Sequence, residues 1–292
     1  MGDTLKQTVQ WFPGHMAKTR RHIKESLSQV DAVTELLEAR IPLASRNPEL
    51  DELTQKKPRI VLLNKCDMAD SKTTEKWIEY FKEKGQYAIA VDCRTGKGLN
   101  QYHSLIRTVL KDKIKQNEER GMPGKPLRVM VVGIPNTGKS SFINRMAGKS
   151  RAKVADKPGV TRHNQWFAIG NGIELLDTPG VLWPKFDDPE VGDKLSFIGS
   201  VKDEVTDTET MAVRLLKILM ADYKALLCER YKLADSDIDD KEPWEVLEAI
   251  GRKRGMLVSG GEVNTERASI MLLDEFRCAK LGRITIEMPY GE

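Results

Sequence analysis

Residues Gly133-Ile134-Pro135-Asn136-Thr137-Gly138-Lys139-Ser140 follow the spacing G-x-x-x-x-G-K-[ST], a pattern that works only as a loop joining a buried strand to a helix. In that setting backbone N–H groups cradle phosphates, the lysine reaches the outer phosphates and the final hydroxyl ligates Mg²⁺. The flanks agree. Leu127-Arg128-Val129-Met130-Val131-Val132 is apolar and valine-rich, as a buried parallel strand should be, and Ser141-Phe142-Ile143-Asn144-Arg145-Met146 reads as the start of a helix. The helix N-terminus adds its dipole to anion binding. Asn136, Thr137, Gly138, Lys139, Ser140 and Ser141 are therefore candidate phosphate contacts, Ser140 also a candidate Mg²⁺ ligand, and the fold class is α/β.

Ile173-Glu174-Leu175-Leu176-Asp177-Thr178-Pro179-Gly180 is a second apolar run, ending in Asp-x-x-Gly. Alone it reads equally well as a plain turn. Downstream of a phosphate loop it predicts Asp177 as the carboxylate that holds Mg²⁺ and Gly180 as the residue that senses a γ-phosphate. Between the two lies Lys157-Pro158-Gly159-Val160-Thr161, which places Thr161 where a switch threonine would close on the metal.

Asn64-Lys65-Cys66-Asp67 follows Arg59-Ile60-Val61-Leu62-Leu63, a buried-strand pattern with polar residues at its carboxyl end, where open α/β sheets bind ligands. These residue types suit guanine. A carboxylate accepts two hydrogen bonds from the N1–H and N2–H₂ edge, which adenine does not offer; the asparagine amide suits a ring acceptor; the lysine stem can cover a base face. A further strand, Gln86-Tyr87-Ala88-Ile89-Ala90-Val91, leads into Asp92-Cys93-Arg94-Thr95-Gly96.

The base-reading tetrapeptide thus precedes the phosphate loop instead of following it. That order, together with Trp11-Phe12-Pro13-Gly14-His15-Met16, Arg40-Ile41-Pro42, Ser45-Arg46-Asn47-Pro48, Leu182-Trp183-Pro184-Lys185 and Ser259-Gly260-Gly261, resembles the circularly permuted GTPases, and among them the ribosome-biogenesis GTPase A family. The likeness spans nearly the whole chain. It implies a P-loop GTPase domain of permuted motif order over residues 1–184, a smaller, mainly helical RNA-binding domain over 185–292, and GTP hydrolysis late in maturation of the large ribosomal subunit. It also implies binding to the precursor subunit and its rRNA, and a slow intrinsic rate raised by the subunit. Asp92 and Cys93 become base-side candidates through their backbone N–H groups, and Asn136 a K⁺ ligand beside the phosphates. Two departures stand out: Glu38 occupies the place of the usual Asp before Ala-Arg, and Asp92-Cys93 replaces the usual polar pair.

Ras-like enzymes orient the attacking water with a glutamine near Asp-x-x-Gly, but Val181 follows Gly180 here, and an aliphatic side chain positions no water. His15 is the candidate for that role, since an imidazole near neutral pKa can hydrogen-bond water; the alternative is a structural histidine that caps the following helix. The competing functional reading is a nucleotide-gated binding module whose turnover is incidental.

With 292 residues, a formal charge of +4 and 31% charged residues, the chain has room for two domains and a mild lean toward anionic partners. Cysteines 66, 93, 228 and 278 show no C-x-x-C spacing, which argues against a zinc site or disulfide frame and fits a reducing compartment. The lack of a long apolar run, a secretory core and a transit peptide predicts a cytoplasmic protein with no membrane association, monomeric off the ribosome. Helices are predicted over residues 15–30, Thr208–Tyr231, Pro243–Arg252 and Thr265–Leu281, and a Pro/Gly linker before the phosphate-loop strand.

Overall fold

A computed structural model describes residues 21, 23–54, 56–148, 165–178, 180, 188–201 and 207–290. His15 and Thr161 lie outside the described residues. The chain forms two compact units.

The first unit is built on a six-stranded sheet: β1 (Ala32–Glu38), β2 (Arg59–Asn64), β3 (Tyr87–Val91), β4 (Leu127–Val132), β5 (Gln165–Gly170) and β6 (Ile173–Asp177). Their order is β3-β2-β1-β4-β6-β5, parallel except for β5. All seven residues of β1 are buried, although three of them, Thr34, Glu35 and Glu38, are polar; its neighbours β2 and β4 read as nearly continuous apolar runs. Period-two alternation still divides the faces. Leu36, Ile60, Leu62, Val129 and Val131 pack with Tyr102, Phe142 and Phe167 on one side, and Leu37, Val61 and Leu63 with Trp77 and Phe81 on the other. Strand β5 closes one edge and alternates exposed with buried positions. Its link to β6 is Asn171-Gly172, both at positive φ, the two-residue hairpin turn whose twist matches its strands.

Helices α1 (Pro48–Thr54), α2 (Ser71–Glu83), α3 (Tyr102–Val109), α4 (Lys111–Glu119) and α5 (Lys139–Met146) supply the layers. From β1 the chain steps outward to β2 and β3. From β4 it steps the opposite way, to β6 and β5. The carboxyl ends of β1 and β4 therefore flank a topological switch point, where doubly wound sheets bind ligands.

The second unit comprises helices α6 (Pro189–Phe197), α7 (Thr208–Asp222), α8 (Lys224–Tyr231), α9 (Pro243–Lys253) and α10 (Thr265–Arg277). The predicted single helix Thr208–Tyr231 is two, broken at Tyr223 with φ −135° and ψ 29°. Its hydroxyl accepts from Thr285 N–H at 3.1 Å and donates to the Thr285 carbonyl at 2.6 Å, so a tertiary contact outweighs helical propensity. The last predicted helix stops at Arg277, and Ala279 takes a left-handed backbone. Helix α6 was absent from the sequence reading.

Glu287 to Tyr290 group with the first unit rather than with the helices of the second. The Glu287 carboxylate accepts from the N–H groups of Leu43 and Ala44 at 2.8 and 3.1 Å, and Trp77 Nε1–H donates to the Glu287 carbonyl at 3.0 Å.

Candidate functional site

The carboxyl ends of β1, β2, β3, β4 and β6 bring together motifs that the sequence separates. Glu38 pairs in register with Asn64, Asn64 with Val91, and Asp177 with Val131, two residues before Gly133. The base-reading tetrapeptide, the loop after β3, the phosphate loop and Asp177 thus share one edge of the sheet.

In the phosphate loop, Asn136 sits at φ 64°, and the Thr137 hydroxyl donates to the Ile134 carbonyl at 2.9 Å. Helix α5 begins at Lys139, so Ser140 and Ser141 fall in its first turn, whose N–H groups have no helical acceptor. Lys139 is buried, and burial pushes its ammonium pKa down while the neighbouring Asp177 carboxylate opposes that shift. A side chain added at Gly180 would begin 3.2 Å from Lys139 Nζ and 3.1 Å from Pro135 N. A Cβ there would crowd the phosphate loop, so glycine suits the close approach of the Asp-x-x-Gly segment. The Thr178 hydroxyl donates to the Val131 carbonyl at 2.7 Å, fixing that segment to β4.

Asn64 joins the two halves. Its Nδ2 donates to the Thr137 carbonyl at 2.6 Å, and its Oδ1 accepts from Cys93 N–H at 3.0 Å. Gly138 makes this possible: a Cβ there would lie 2.3 Å from Asn64 Nδ2. The amide expected to bond a base ring thus staples two loops through its oxygen and one N–H, and its second N–H is the donor left for that ring.

The loop after β3 also differs from expectation. The backbone N–H of Asp92 donates to the Lys97 carbonyl at 3.0 Å, and that of Cys93 to Asn64, so the N–H groups assigned to the base already have partners. The Asp92 carboxylate takes the N–H of Arg94 at 2.8 Å and the Thr95 hydroxyl at 2.5 Å. Burial opposes its ionisation, yet these hydrogen bonds hold its pKa below the usual range. Asp92 is a turn-former. Burial raises the Cys93 thiol pKa, with Asp92 and Cys66 adding to the shift and Arg145 opposing it. Arg145 of α5 donates to the Arg94 carbonyl, a second tie between phosphate and base sides.

Asp67 is different. Its Oδ2 lies 3.4 Å from Arg94 Nη2, an exposed guanidinium, whereas among the described residues its buried Oδ1 accepts no hydrogen bond. Buried acceptors are normally satisfied, so this oxygen suits a donor edge such as guanine's. Lys65 has a left-handed backbone at φ 59°, and its Nζ lies 3.1 Å from Glu38 Oε2. Glu38 and Arg40 belong to the site's surroundings although the sequence reading gave them no role. An acid and an arginine close to the carboxyl end of the buried run Ala32–Glu38 were the available signal.

Among the described residues no cluster of three or more His, Cys, Asp or Glu side chains forms a metal site. The Ser140 hydroxyl and the Asp177 carboxylate are hard oxygen donors, as Mg²⁺ prefers when phosphates supply further ligands.

The family model described as "50S ribosome-binding GTPase" matches residues 128–253. That span starts at β4 and omits Asn64–Asp67, as a permuted chain requires. The chain is 47% identical to ribosome biogenesis GTPase A of Priestia megaterium over 97% of each chain. It is 35% identical to the protein of that name from Thermotoga maritima, over 96% of this chain and 95% of that one. A GDP-bound YlqF structure matches with a TM-score of 0.67 at 32% identity, covering 92% of this chain and 99% of that one. A GNP-bound YlqF structure from T. maritima gives 0.63 at 30% identity, covering 94% and 100%.

Proposed function

We propose, because this chain belongs to the ribosome biogenesis GTPase A family and is a GTPase of ribosome assembly, that it acts late on the large ribosomal subunit precursor, bound more tightly with GTP than with GDP. The observation that carries this reading is the convergence of Asn64–Asp67, Gly133–Ser140 and Asp177–Gly180 on one sheet edge, which couples a base reader to a γ-phosphate sensor. The matched family's description as 50S ribosome-binding supports the large subunit as the target.

Each residue has a derivable part. Asp67 accepts the guanine N1–H and N2–H₂ edge, and the Lys65 stem covers the base face. Asn64 keeps base loop and phosphate loop in register, with the buried Cys66 and Cys93 in the loops that follow β2 and β3. Lys139, desolvated before the ligand arrives, gains most from phosphate oxygens. The N–H groups of Thr137, Gly138, Ser140 and Ser141 face the phosphates, and Gly180 answers the γ-phosphate. Mg²⁺ would be held by Ser140 and Asp177, with Thr161 joining in the GTP state, and supplies charge compensation at the outer phosphates. K⁺ at the Asn136 side-chain oxygen would add to that compensation. His15 orients the attacking water in the place of the glutamine that Val181 replaces. Hydrolysis is slow alone and accelerated by the subunit.

The second unit carries the RNA contact in this reading. An open pocket of about 550 Å³ there is lined by Arg230, Lys232, Lys253, Arg254 and Lys280 beside Glu229, a cationic concavity suited to phosphates. Residues 1–184 and 185–286 are the two functional domains of a cytoplasmic protein, monomeric off the ribosome. Co-sedimentation with purified large subunits tests the reading. Retention should be greater with a GTP analogue than with GDP, and Lys232→Glu/Lys280→Glu should weaken it while leaving GDP binding intact. Equal retention with GDP, analogue and no nucleotide would refute it. Point substitutions are preferable to truncation, since truncation would also remove Glu287.

A further inference from the structure

Glu38 ends β1 wholly buried, and its neighbour in register on β2 is Asn64. Its carboxylate is fully engaged. Oε1 accepts from Arg40 Nε at 2.9 Å and from Arg40 backbone N–H at 3.3 Å; Oε2 accepts from Arg40 Nη2 at 2.9 Å and from Lys65 Nζ at 3.1 Å. Its own N–H donates to Ser45 Oγ at 2.9 Å. Such a carboxylate has no freedom to rotate. Arg40 is as deeply buried, whereas the Lys65 side chain is 25% exposed. Of the two cations it is the lysine that reaches toward the ligand edge.

Arg40 alone would satisfy a buried carboxylate by bidentate pairing, so the second cation calls for its own explanation. Lys65 stands two residues from Asp67, the acid whose Oδ1 accepts no bond among the described residues. A lysine released from Glu38 would have that acid as its nearest alternative anion along the loop, and pairing there would occupy the oxygens that read guanine. A loose lysine also loses rotamer freedom when a ligand orders it. An ion pair formed in advance removes that loss.

We propose that Glu38 is a positioning residue of the base site, holding the Lys65 ammonium so that the methylene stem lies along the base face and Asp67 stays open to guanine. This rests on the reading of Lys65 and Asp67 as base contacts. The Asp expected at this position is one methylene shorter; with Glu the carboxylate spans both Arg40 and Lys65.

A double-mutant cycle tests it, with dissociation of ribose-labelled GDP from the full chain as the readout. Glu38→Gln should speed release about tenfold in the chain with Lys65, and should change it little where Lys65→Met is already present. Because Glu38→Gln leaves Arg40 buried without its anion, the pair Glu38→Gln/Arg40→Met, which removes both charges, is carried through the same cycle. Release that speeds up equally with and without Lys65 would make Glu38 a purely structural residue and overturn the proposal. Lys65→Met that leaves release unchanged would overturn the base-site reading, and the proposal with it.

Discussion

Asn64 donates its side-chain amide to the carbonyl of Thr137 at 2.6 Å, across 73 positions of sequence. That bond joins the loop that reads the base to the loop that holds phosphates, and its second arm, to Cys93 N–H, ties in the loop after β3. Asn64→Ala leaves both partners buried and unpaired, a cost of about 1–3 kcal/mol for each. GDP affinity should fall by one to two orders of magnitude, roughly that energy halved by relaxation. Gly138→Ala should do the same by driving a methyl into Asn64 Nδ2. Titration calorimetry with GDP checks both.

Asp67→Asn replaces two acceptors by one acceptor and a donor. The guanine edge then meets a donor, whereas xanthine offers a carbonyl there. Preference for GDP over XDP should reverse, by about 100-fold or more in the ratio of affinities, since sites built to hydrogen-bond a group reject its absence strongly. Competition of GDP and XDP for labelled nucleotide measures it. An unchanged ratio would remove Asp67 from the base site.

Two glutamates on β1 respond to acid with opposite sign. Burial works against ionisation of Glu38, but Arg40 and Lys65 lower its pKa to about 2, from 4.5. Its contribution to stability is complete above about pH 4.5 and fades as the pH falls toward 2. Burial dominates at Glu35 and raises its pKa despite Arg46 and Arg59 at 3.3 and 3.5 Å. The folded state therefore resists that charge at neutral pH, and relief comes as the pH falls through the raised value. Urea midpoints should show Glu38→Gln to be the costlier change at pH 7. The gap between wild type and Glu38→Gln should hold down to about pH 5 and close between about 4.5 and 2. Arg46 and Arg59 keep Asp51 as a partner, so Glu35→Gln should be mild.

Glu287→Ala leaves the N–H groups of Leu43 and Ala44 without their acceptor. Both amides should exchange with solvent faster, by about tenfold or more if the lost bonds are worth about 1.5 kcal/mol. Amide hydrogen exchange resolves this. Unchanged protection at both sites would mean that the tail contributes nothing to that loop.

Local patterns carried much of this architecture in the sequence. Leu127–Val132, Arg59–Leu63 and Ile173–Leu176 announce buried strands because strands covered on both faces tolerate little but apolar residues, and each motif's chemistry demands particular residue types. Roles set by partners distant in sequence were hidden. Nothing near Asn64 indicates that its amide meets Thr137 and Cys93; the turn that the Asp92 carboxylate forms with Arg94 and Thr95 is local by contrast, and Asp92 followed by Thr95-Gly96 was its signal. The break at Tyr223 depends on Thr285, and the return of Glu287 to the first unit depends on Leu43 and Trp77. Helical periodicity at Thr208–Tyr231 is real but silent about such contacts.

GTP turnover with purified large ribosomal subunits, in K⁺ and again in Na⁺, bears on the central claim that this nucleotide site serves the ribosome. Subunits should raise the rate by about tenfold or more, an effect of at least about 1.4 kcal/mol on the barrier; the rise should be smaller in Na⁺ and absent in His15→Ala, which should still bind GTP. A rate that subunits leave unchanged, in a protein that binds GTP normally, would contradict it.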